Sequence, residues 1–320
     1  MNPAHCLLFV LALWLSACQF EGGDDPYVPE TVASYLLLRD STTGHNRLLR
    51  YAQGAEQRDW QEEVGLPAEQ LGGLSGREGE VFLGSNQPGR LLRLDGRSGQ
   101  LAQTYPLDSL RSHYVMAGER VLMVCDTVAQ AVGLLGLDDE GLVVLPVNAT
   151  PGQPAYRGGQ FYVPVGGEVW VYQAEARALL AQVALPRRLT HLQPDWRSTV
   201  WTYWQQGDTL WKAGIEYHNH LITDPPEPLP SVALELYSPY RQVNYGSERT
   251  QAIRLNRNGR FADQRNVRDL RYDFFAQTAF FLRQDTLYRQ GRGEAPLALW
   301  PGRTFDLLAD HHHQGRPSGE

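Results

Sequence analysis

Residues 71–107 read LGGLSGREGEVFLGSNQPGRLLRLDGRSGQLAQTYPL and contain one complete structural unit. Short apolar runs alternate with polar, glycine-rich turns, and no run shows the 3.6-residue apolar period of an amphipathic helix. The pattern predicts four antiparallel strands, and the glycines suit hairpin turns that require positive φ. The strands are expected at Leu71–Gly76, Val81–Ser85, Arg90–Asp95 and Leu101–Leu107.

The same unit recurs along the chain. Its apolar strands begin near seven positions that lie 36 to 46 residues apart: Tyr35, Val81, Val121, Phe161, Val200, Leu236 and Phe280. A strand-only repeat of this length is typical of β-propellers, whose four-stranded blades span roughly 40 to 50 residues. We therefore predict an all-β fold, a seven-bladed β-propeller of four-stranded blades over residues 31–310.

The two ends of this region predict how the ring closes. The first unit opens directly with its second strand, Ala33–Asp40, and a spare strand-like segment, Thr304–Ala309, follows the last unit. We expect this C-terminal strand to complete the first blade, which removes the free sheet edges. Prolines interrupt the pattern over residues 217–250 and leave strands there unassigned, and residues 311–320 are expected to be a disordered tail.

The N-terminal segment has the features of an export signal. Residues 7–15, LLFVLALWL, form an apolar run that is too short to span a bilayer and fits a signal peptide. Leu15-Ser16-Ala17-Cys18 resembles the lipobox of bacterial lipoproteins, although no Lys or Arg precedes the apolar run. The resemblance implies that residues 1–17 are removed and that Cys18 is acylated. The acyl chains, palmitate among them, would then anchor the protein in the lipid bilayer. Residues 18–30 then form an acidic, glycine-rich tether.

Together these features resemble a Bacteroidota-type surface lipoprotein with a YVTN/YncE-like seven-bladed β-propeller. The resemblance rests on the lipobox, the acidic stretch after Cys18 and the strand periodicity over residues 31–310. Such features specify architecture more than function. The resemblance implies a lipid-anchored outer-membrane protein at the cell surface, with a periplasm-facing orientation as the alternative. It also implies a TonB-dependent receptor as a candidate partner.

Charge and motifs exclude several classes of protein. The net charge of −7 argues against nucleic-acid binding, which needs a basic surface. There is no Gly-x-Ser-x-Gly, His-Glu-x-x-His or Cys-x-x-Cys pattern, so no catalytic residue and no cofactor is predicted. Cys125 lies in an apolar run and is expected to be a small buried core residue.

Candidate ligand-binding residues follow from the propeller geometry. The loops that connect successive blades, and those between second and third strands, are expected to share the face on which propellers bind ligands. Aromatic side chains beside amide and guanidinium groups suit a polar, partly flat solute. The candidates are Asn86, Gln87, His113, Tyr114, Asp126, Tyr156, Arg157, His191, Tyr240, Arg241, Tyr245, Arg271, Tyr272 and Asp273.

Two sets of residues offer a metal-binding alternative. His218 and His220 would face the same side of a strand and so reach one metal, although a solvated strand face is the favoured interpretation. Carboxylates and imidazoles around a channel-bound cation would make the chain a metal-dependent hydrolase or lyase. The ligands in that case would be His113, Asp126, His191 and Asp273.

The sequence favours a binding module over these alternatives. The favoured function is a lipid-anchored propeller that captures a small solute, a corrinoid being one candidate, or docks on a TonB-dependent transporter. The alternatives are the metal-dependent propeller enzyme and a structural envelope or adhesion protein. Three observations rank the binding module first: the lipobox, the seven repeats and the absence of a catalytic motif.

Overall fold

A computed structural model describes residues 31–41, 43–52, 58–59, 71–77, 79–86, 89–185, 189, 191–194, 199–206, 209–228, 267–273, 278–283, 286–291, 294–300 and 305–314. Within these ranges all regular secondary structure is β-strand, and the strands form six four-stranded antiparallel sheets. The predicted all-β class and the four-stranded unit are therefore confirmed.

The first three sheets hold the N-terminal half of the fold. The first contains β1 (Thr31–Asp40), β2 (Asn46–Ala52) and β3 (Arg58–Asp59). The second contains β4 (Leu71–Arg77), β5 (Glu80–Asn86), β6 (Gly89–Asp95) and β7 (Leu101–Pro106). The third contains β8 (Tyr114–Ala117), β9 (Val121–Asp126), β10 (Ala131–Gly136) and β11 (Leu142–Pro146).

The remaining strands form three further sheets and complete the first. The fourth contains β12 (Ala155–Arg157), β13 (Gln160–Val165), β14 (Glu168–Gln173) and β15 (Ala178–Ala184). The fifth contains β16 (His191–Pro194), β17 (Thr199–Gln206), β18 (Thr209–Glu216) and β19 (Ile222–Pro228). The sixth contains β20 (Val267–Asp273), β21 (Thr278–Arg283), β22 (Thr286–Gly291) and β23 (Leu297–Trp300). The last strand, β24 (Phe305–Gln314), joins the first sheet.

The expected strands of residues 71–107 match β4 to β7 to within a residue or two at each end. The repeats expected near Val121, Phe161, Val200 and Phe280 correspond to β9, β13, β17 and β21. The repeat near Leu236 lies outside the described residues.

The C-terminal strand pairs with the first strand. β24 runs antiparallel to β1, with Asp310 opposite Leu36 and Phe305 opposite Asp40. It takes the position that the sequence analysis gave to Thr304–Ala309, but it continues to Gln314. Residues 311–314, which the sequence analysis placed in the tail, are therefore part of a sheet.

Apolar side chains between neighbouring sheets form the core. Separate clusters join the first sheet to the second, the second to the third, the third to the fourth and the fourth to the fifth. A fifth cluster joins the first sheet to the sixth, through Leu38, Phe280 and Leu282 among others. Each sheet thus packs face to face on its neighbours, so most apolar area is buried between sheets rather than inside one central core.

Glycines let the second and third sheets approach closely. Ser112 is completely buried, and an added Cβ would lie 2.0 Å from its carbonyl oxygen at Gly72 and 1.9 Å from its Oγ at Gly84. The Ser112 carbonyl accepts a 2.5 Å hydrogen bond from the Gly73 N–H. Because a side chain at Gly72 or Gly84 would occupy the space that Ser112 fills, glycine at these two positions sets the spacing of the sheets.

The strands of every sheet end at two opposite faces. One, the cavity face, holds the ends of β1, β5 and β9 at Asp40, Asn86 and Asp126, and the starts of β4 and β8. The other, the turn face, holds the turns between first and second strands and between third and fourth strands. Because alternate antiparallel strands run in opposite directions, the start of β1 at Thr31 lies on the turn face.

Candidate functional site

A cavity of about 580 Å³ opens on the cavity face between the first three sheets. Polar groups come from strand ends and loops of each sheet, and apolar groups come from β1, β4, β8 and β24. Concave sites with a few convergent polar groups are where proteins bind small solutes. Its polar and charged lining residues are Arg39, Asn46, Asn86, His113, Tyr114, Thr127 and Gln153.

Asn86 is held by the neighbouring sheet. Its Oδ1 accepts hydrogen bonds from the Ser112 N–H at 2.7 Å and the Ser112 hydroxyl at 3.0 Å. Asn46 has a similar role one sheet earlier, where its Nδ2 donates to the Leu71 carbonyl at 2.9 Å. The two amide side chains thus line the cavity and also link adjacent sheets.

Asp126 is a structural carboxylate rather than a group aimed into the cavity. It is almost fully buried and accepts hydrogen bonds from the N–H groups of Arg111, Val128 and Ala129, each at 2.9 Å. Burial raises the pKa of Asp126, but these hydrogen bonds together with nearby His113 hold it below its usual value. Asp126 therefore fixes the loop before β8 and the turn after β9 beside the cavity, and it does not line the cavity itself.

His113 lines the cavity as a neutral imidazole. Its Nδ1 accepts a hydrogen bond from the Thr127 N–H at 3.2 Å and lies 3.5 Å from Oδ1 of Asp126. An Nδ1 that accepts carries no proton, so the ring proton is on Nε2. Burial lowers the pKa of His113, and nearby Arg111 adds to this, while the Asp126 carboxylate opposes it less strongly.

Tyr114 supplies an aromatic wall. It is half-buried and lines the cavity beside His113. Burial, with a smaller contribution from the Cys125 thiol, raises the pKa of its phenol, so the group stays a neutral donor and acceptor. Cys125 itself is a completely buried free cysteine whose pKa is raised by burial, which confirms its expected place in the core.

Four polar lining residues are not among the predicted candidates, and one of them, Thr127, directly follows the candidate Asp126. Arg39 is an exposed residue near the end of β1, Asn46 begins β2, and Gln153 precedes β12. None of the described residues that line the cavity carries a carboxylate, so Arg39 gives it a positive charge. The alternation of Leu37 and Arg39 along β1 was the available signal, because residues two apart share a side of a strand.

Tyr156 and Arg157 lie on the turn face, so their predicted placement on the cavity face was wrong. β12 ends at Arg157 and turns at Gly158, so both residues lie on the turn face. Tyr156 lines a second cavity of about 470 Å³ there, and the Arg157 guanidinium lies 5.8 Å from the Tyr217 ring centroid. The candidates Arg271, Tyr272 and Asp273 are the last three residues of β20. Their backbone therefore also lies at the turn-face end of a first strand.

Several candidates cannot be placed by their side chains. Gln87, Tyr240, Arg241 and Tyr245 lie outside the described residues. His191 starts β16 at the cavity-face end, and its backbone position is all that the structure describes.

The two histidines of the metal alternative lie in a turn. Residues 217–219 form the turn between β18 and β19, and His220 has a φ of 60°. His218 and His220 were expected on the same side of a strand, and this prediction was wrong because the segment is a turn. Within the described ranges, no three His, Cys, Asp or Glu residues are grouped closely enough to hold a metal ion.

Comparisons with known proteins give no family. No family model matches the chain, and no curated protein matches it. Across the described ranges, no helix is both long enough and apolar enough to cross a membrane.

Solved structures resemble the chain weakly. A chain of the mitotic checkpoint complex matches with 13% identity and a TM-score of 0.46, covering 61% of this chain and 66% of that one. Hydrazine synthase of Kuenenia stuttgartiensis matches with 10% identity and a TM-score of 0.45, covering 74% and 65%. The computationally designed Ika8 protein matches with 12% identity and a TM-score of 0.43, covering 84% and 72%. The chain thus spans just under two thirds of the first two. The fold assignment therefore rests on the sheets themselves.

Proposed function

We propose that this chain is a lipid-anchored outer-membrane protein in which a closed, seven-bladed β-propeller binds a small solute at its cavity face. The supporting observation is the 580 Å³ cavity, whose lining combines an aromatic ring, amides, a neutral imidazole and one guanidinium. A site of that composition suits a polar solute with an acceptor or anionic group, because Arg39 and the Nε2–H of His113 are donors.

The ring architecture is part of the same proposal. The apolar clusters connect the described sheets in the order fifth, fourth, third, second, first, sixth. The one junction outside that series would fall between the fifth and sixth sheets, and residues 229–266 of the chain lie between them in sequence. We assign the repeat near Leu236 to a blade that fills this junction, which gives seven.

The anchor and the partner are proposed from the sequence. Acylation at Cys18 would hold the protein on the outer membrane, at the cell surface or facing the periplasm, and a TonB-dependent transporter is the partner that the resemblance implies. Two alternatives stay predictions that no contact among the described residues favours: the metal-dependent hydrolase or lyase, and the structural envelope or adhesion protein.

The first test is co-purification of the native lipoprotein, extracted from outer membranes with mild detergent. We expect a stoichiometric TonB-dependent receptor by protein mass spectrometry, a small solute released on denaturation, and palmitate labelling that is lost in Cys18→Ala. A protein that carries neither receptor nor solute in repeated extractions would contradict the binding function.

Matched tyrosine variants locate the site. Tyr114 lines the cavity and Tyr156 lines the cavity on the opposite face, and both are half-buried. Tyr114→Ala should lose the co-purifying solute while Tyr156→Ala retains it. The reverse pattern would contradict this location of the site. Loss of the solute only in the joint replacement of Tyr240, Arg241 and Tyr245 by Ala would also place the site outside this cavity.

A further inference from the structure

Exposed apolar side chains recur where outer strands begin. Leu101 is the first residue of β7 and is 50% exposed, and Leu297 is the first residue of β23 and is 55% exposed. Leu221, 62% exposed, directly precedes β19. We call this set the apolar rim, and its members are Leu101, Leu179, Leu180, Leu221, Ile222 and Leu297.

The rim lies on one face of the molecule. Each member follows the turn between the third and fourth strands of its sheet, and all these turns lie on the turn face. Nine large hydrophobic side chains are exposed among the described residues, and six of them belong to the rim. Single exposed leucines are ordinary, but four sheets that present them at the same end indicate a contact surface.

The N-terminal chain enters the fold on this same face. β1 starts at Thr31, and close to its start the Tyr35 hydroxyl donates to the Gly96 carbonyl at 2.9 Å. Gly96 lies in the turn that leads into β7 and Leu101. Twelve residues separate Cys18 from Thr31, and a chain of that length spans at most about 45 Å when fully extended.

We propose that the apolar rim rests on the interfacial region of the lipid bilayer. The inference depends on the proposed acylation of Cys18, because the short tether would then keep the turn face near the membrane. In this orientation the cavity face points away from the bilayer, so its solute or partner arrives from the aqueous side. The rim leucines would lose water contact at the interface, as apolar faces of interfacial proteins do.

Charge on the turn face decides how the contact forms. Asp138 pairs with Arg120 at 2.6 Å, and Asp139 pairs with Arg177, so these two arginines are already engaged. Arg97 and Arg157 also lie on this face, but the carboxylates of Glu119, Glu140 and Glu175 outnumber them. A surface with this balance is not drawn to anionic lipid, so the contact depends on the leucines and should resist salt.

The test compares two matched labelling sites in the full-length lipoprotein. Leu221→Cys places a bimane label on the rim, and Val128→Cys, 66% exposed, places one on the cavity face. Cys125 is buried and so stays unlabelled. The proteins are reconstituted in phosphatidylethanolamine vesicles with a minor fraction of phosphatidylglycerol and a doxyl-labelled quencher lipid. We expect loss of fluorescence at position 221, no loss at 128, and no recovery in high salt.

Two results would overturn the bilayer contact. Equal fluorescence at both positions in an anchored protein would overturn the bilayer contact alone and leave a protein surface as the occupant of the rim. A chain that neither carries an acyl group nor floats with the vesicles would overturn the proposed anchor and, with it, this inference. Leu101→Cys provides a second rim position if Leu221→Cys does not fold.

Discussion

Asn86 and Ser112 join two sheets through a single amide oxygen. Oδ1 of Asn86, at the end of β5, accepts both the N–H and the hydroxyl of Ser112, at 2.7 and 3.0 Å. Ser112 precedes β8 of the next sheet and is completely buried. Asp126 occupies the equivalent strand end one sheet later and accepts the Arg111 N–H at 2.9 Å. Acidic or amide residues at these strand ends therefore hold the loops that shape the cavity.

Replacing Asn86 by alanine should destabilise the protein. The variant leaves the buried N–H and hydroxyl of Ser112 without their acceptor, and an unsatisfied buried donor costs about 1–3 kcal/mol. We expect the free energy of unfolding from urea titration to fall by that order. Asn86→Asp retains an acceptor and should lie closer to the wild type, so equal losses in both variants would contradict this role.

Gly84→Ala tests the close approach of the second and third sheets. A Cβ at this position would lie 1.9 Å from Oγ and 2.4 Å from Cβ of Ser112, and overpacking of this kind costs about 1–3 kcal/mol. We expect a clear drop in melting temperature by differential scanning fluorimetry. Gly167→Ala is the control, because the nearest atom there is 3.9 Å away. Adding Ser112→Ala should recover part of the Gly84→Ala loss, and a strictly additive double variant would argue against the contact.

Asp126 should make stability depend on acid pH. Its pKa in the folded protein is below the usual value, because the N–H donors of Ala129, Arg111 and Val128 outweigh the effect of burial. The carboxylate thus stabilises the fold above its unfolded pKa of about 3.9, and this contribution is lost as the pH falls through the folded pKa. We expect Asp126→Asn to lower the urea midpoint at pH 7 and to approach the wild type at strongly acid pH. A constant difference across the range would contradict the assignment.

His113 should titrate below its ordinary pKa of 6.5. Burial is the main cause, and the accepted hydrogen bond from Thr127 further requires an unprotonated Nδ1. Since the unfolded chain binds the proton more readily, acidification below about pH 6.5 should cost stability through this residue. NMR of the ring nitrogens measures the pKa directly. Asp126→Asn removes the nearby carboxylate and should lower it further, and an upward shift would be inconsistent with the geometry.

The strands were predictable because their signals are local. Apolar alternation and glycine turns over residues 71–107 specify four strands without reference to the rest of the chain, and β4 to β7 follow them. The pairing of β24 with β1 was accessible for a different reason: the first unit lacked a strand and the last had one to spare.

The composition of the site was less predictable, because it depends on contacts between sheets. Asp126 looks like a ligand-binding loop residue in sequence, yet which backbone N–H groups reach it is set by the loop before β8. Tyr156 was predicted on the wrong face because β12 has only three residues, and its end could not be located from the sequence. Arg39 was overlooked because it lies within a strand, where only register shows which side chain reaches the cavity.

Removing β24 should have a larger effect than its position at the C-terminus suggests. β24 covers one side of β1 over its whole length, and Ala309 packs against the cluster shared by the first and second sheets. Truncation after residue 304 would leave β1 with an unpaired edge and uncover apolar groups, both of which disfavour the native fold. We expect this variant to aggregate or to melt at a much lower temperature. Truncation after Gln314 keeps the strand and should melt like the wild type. If both truncations behave alike, the sheet does not need its C-terminal strand, and the proposed ring closure fails with it.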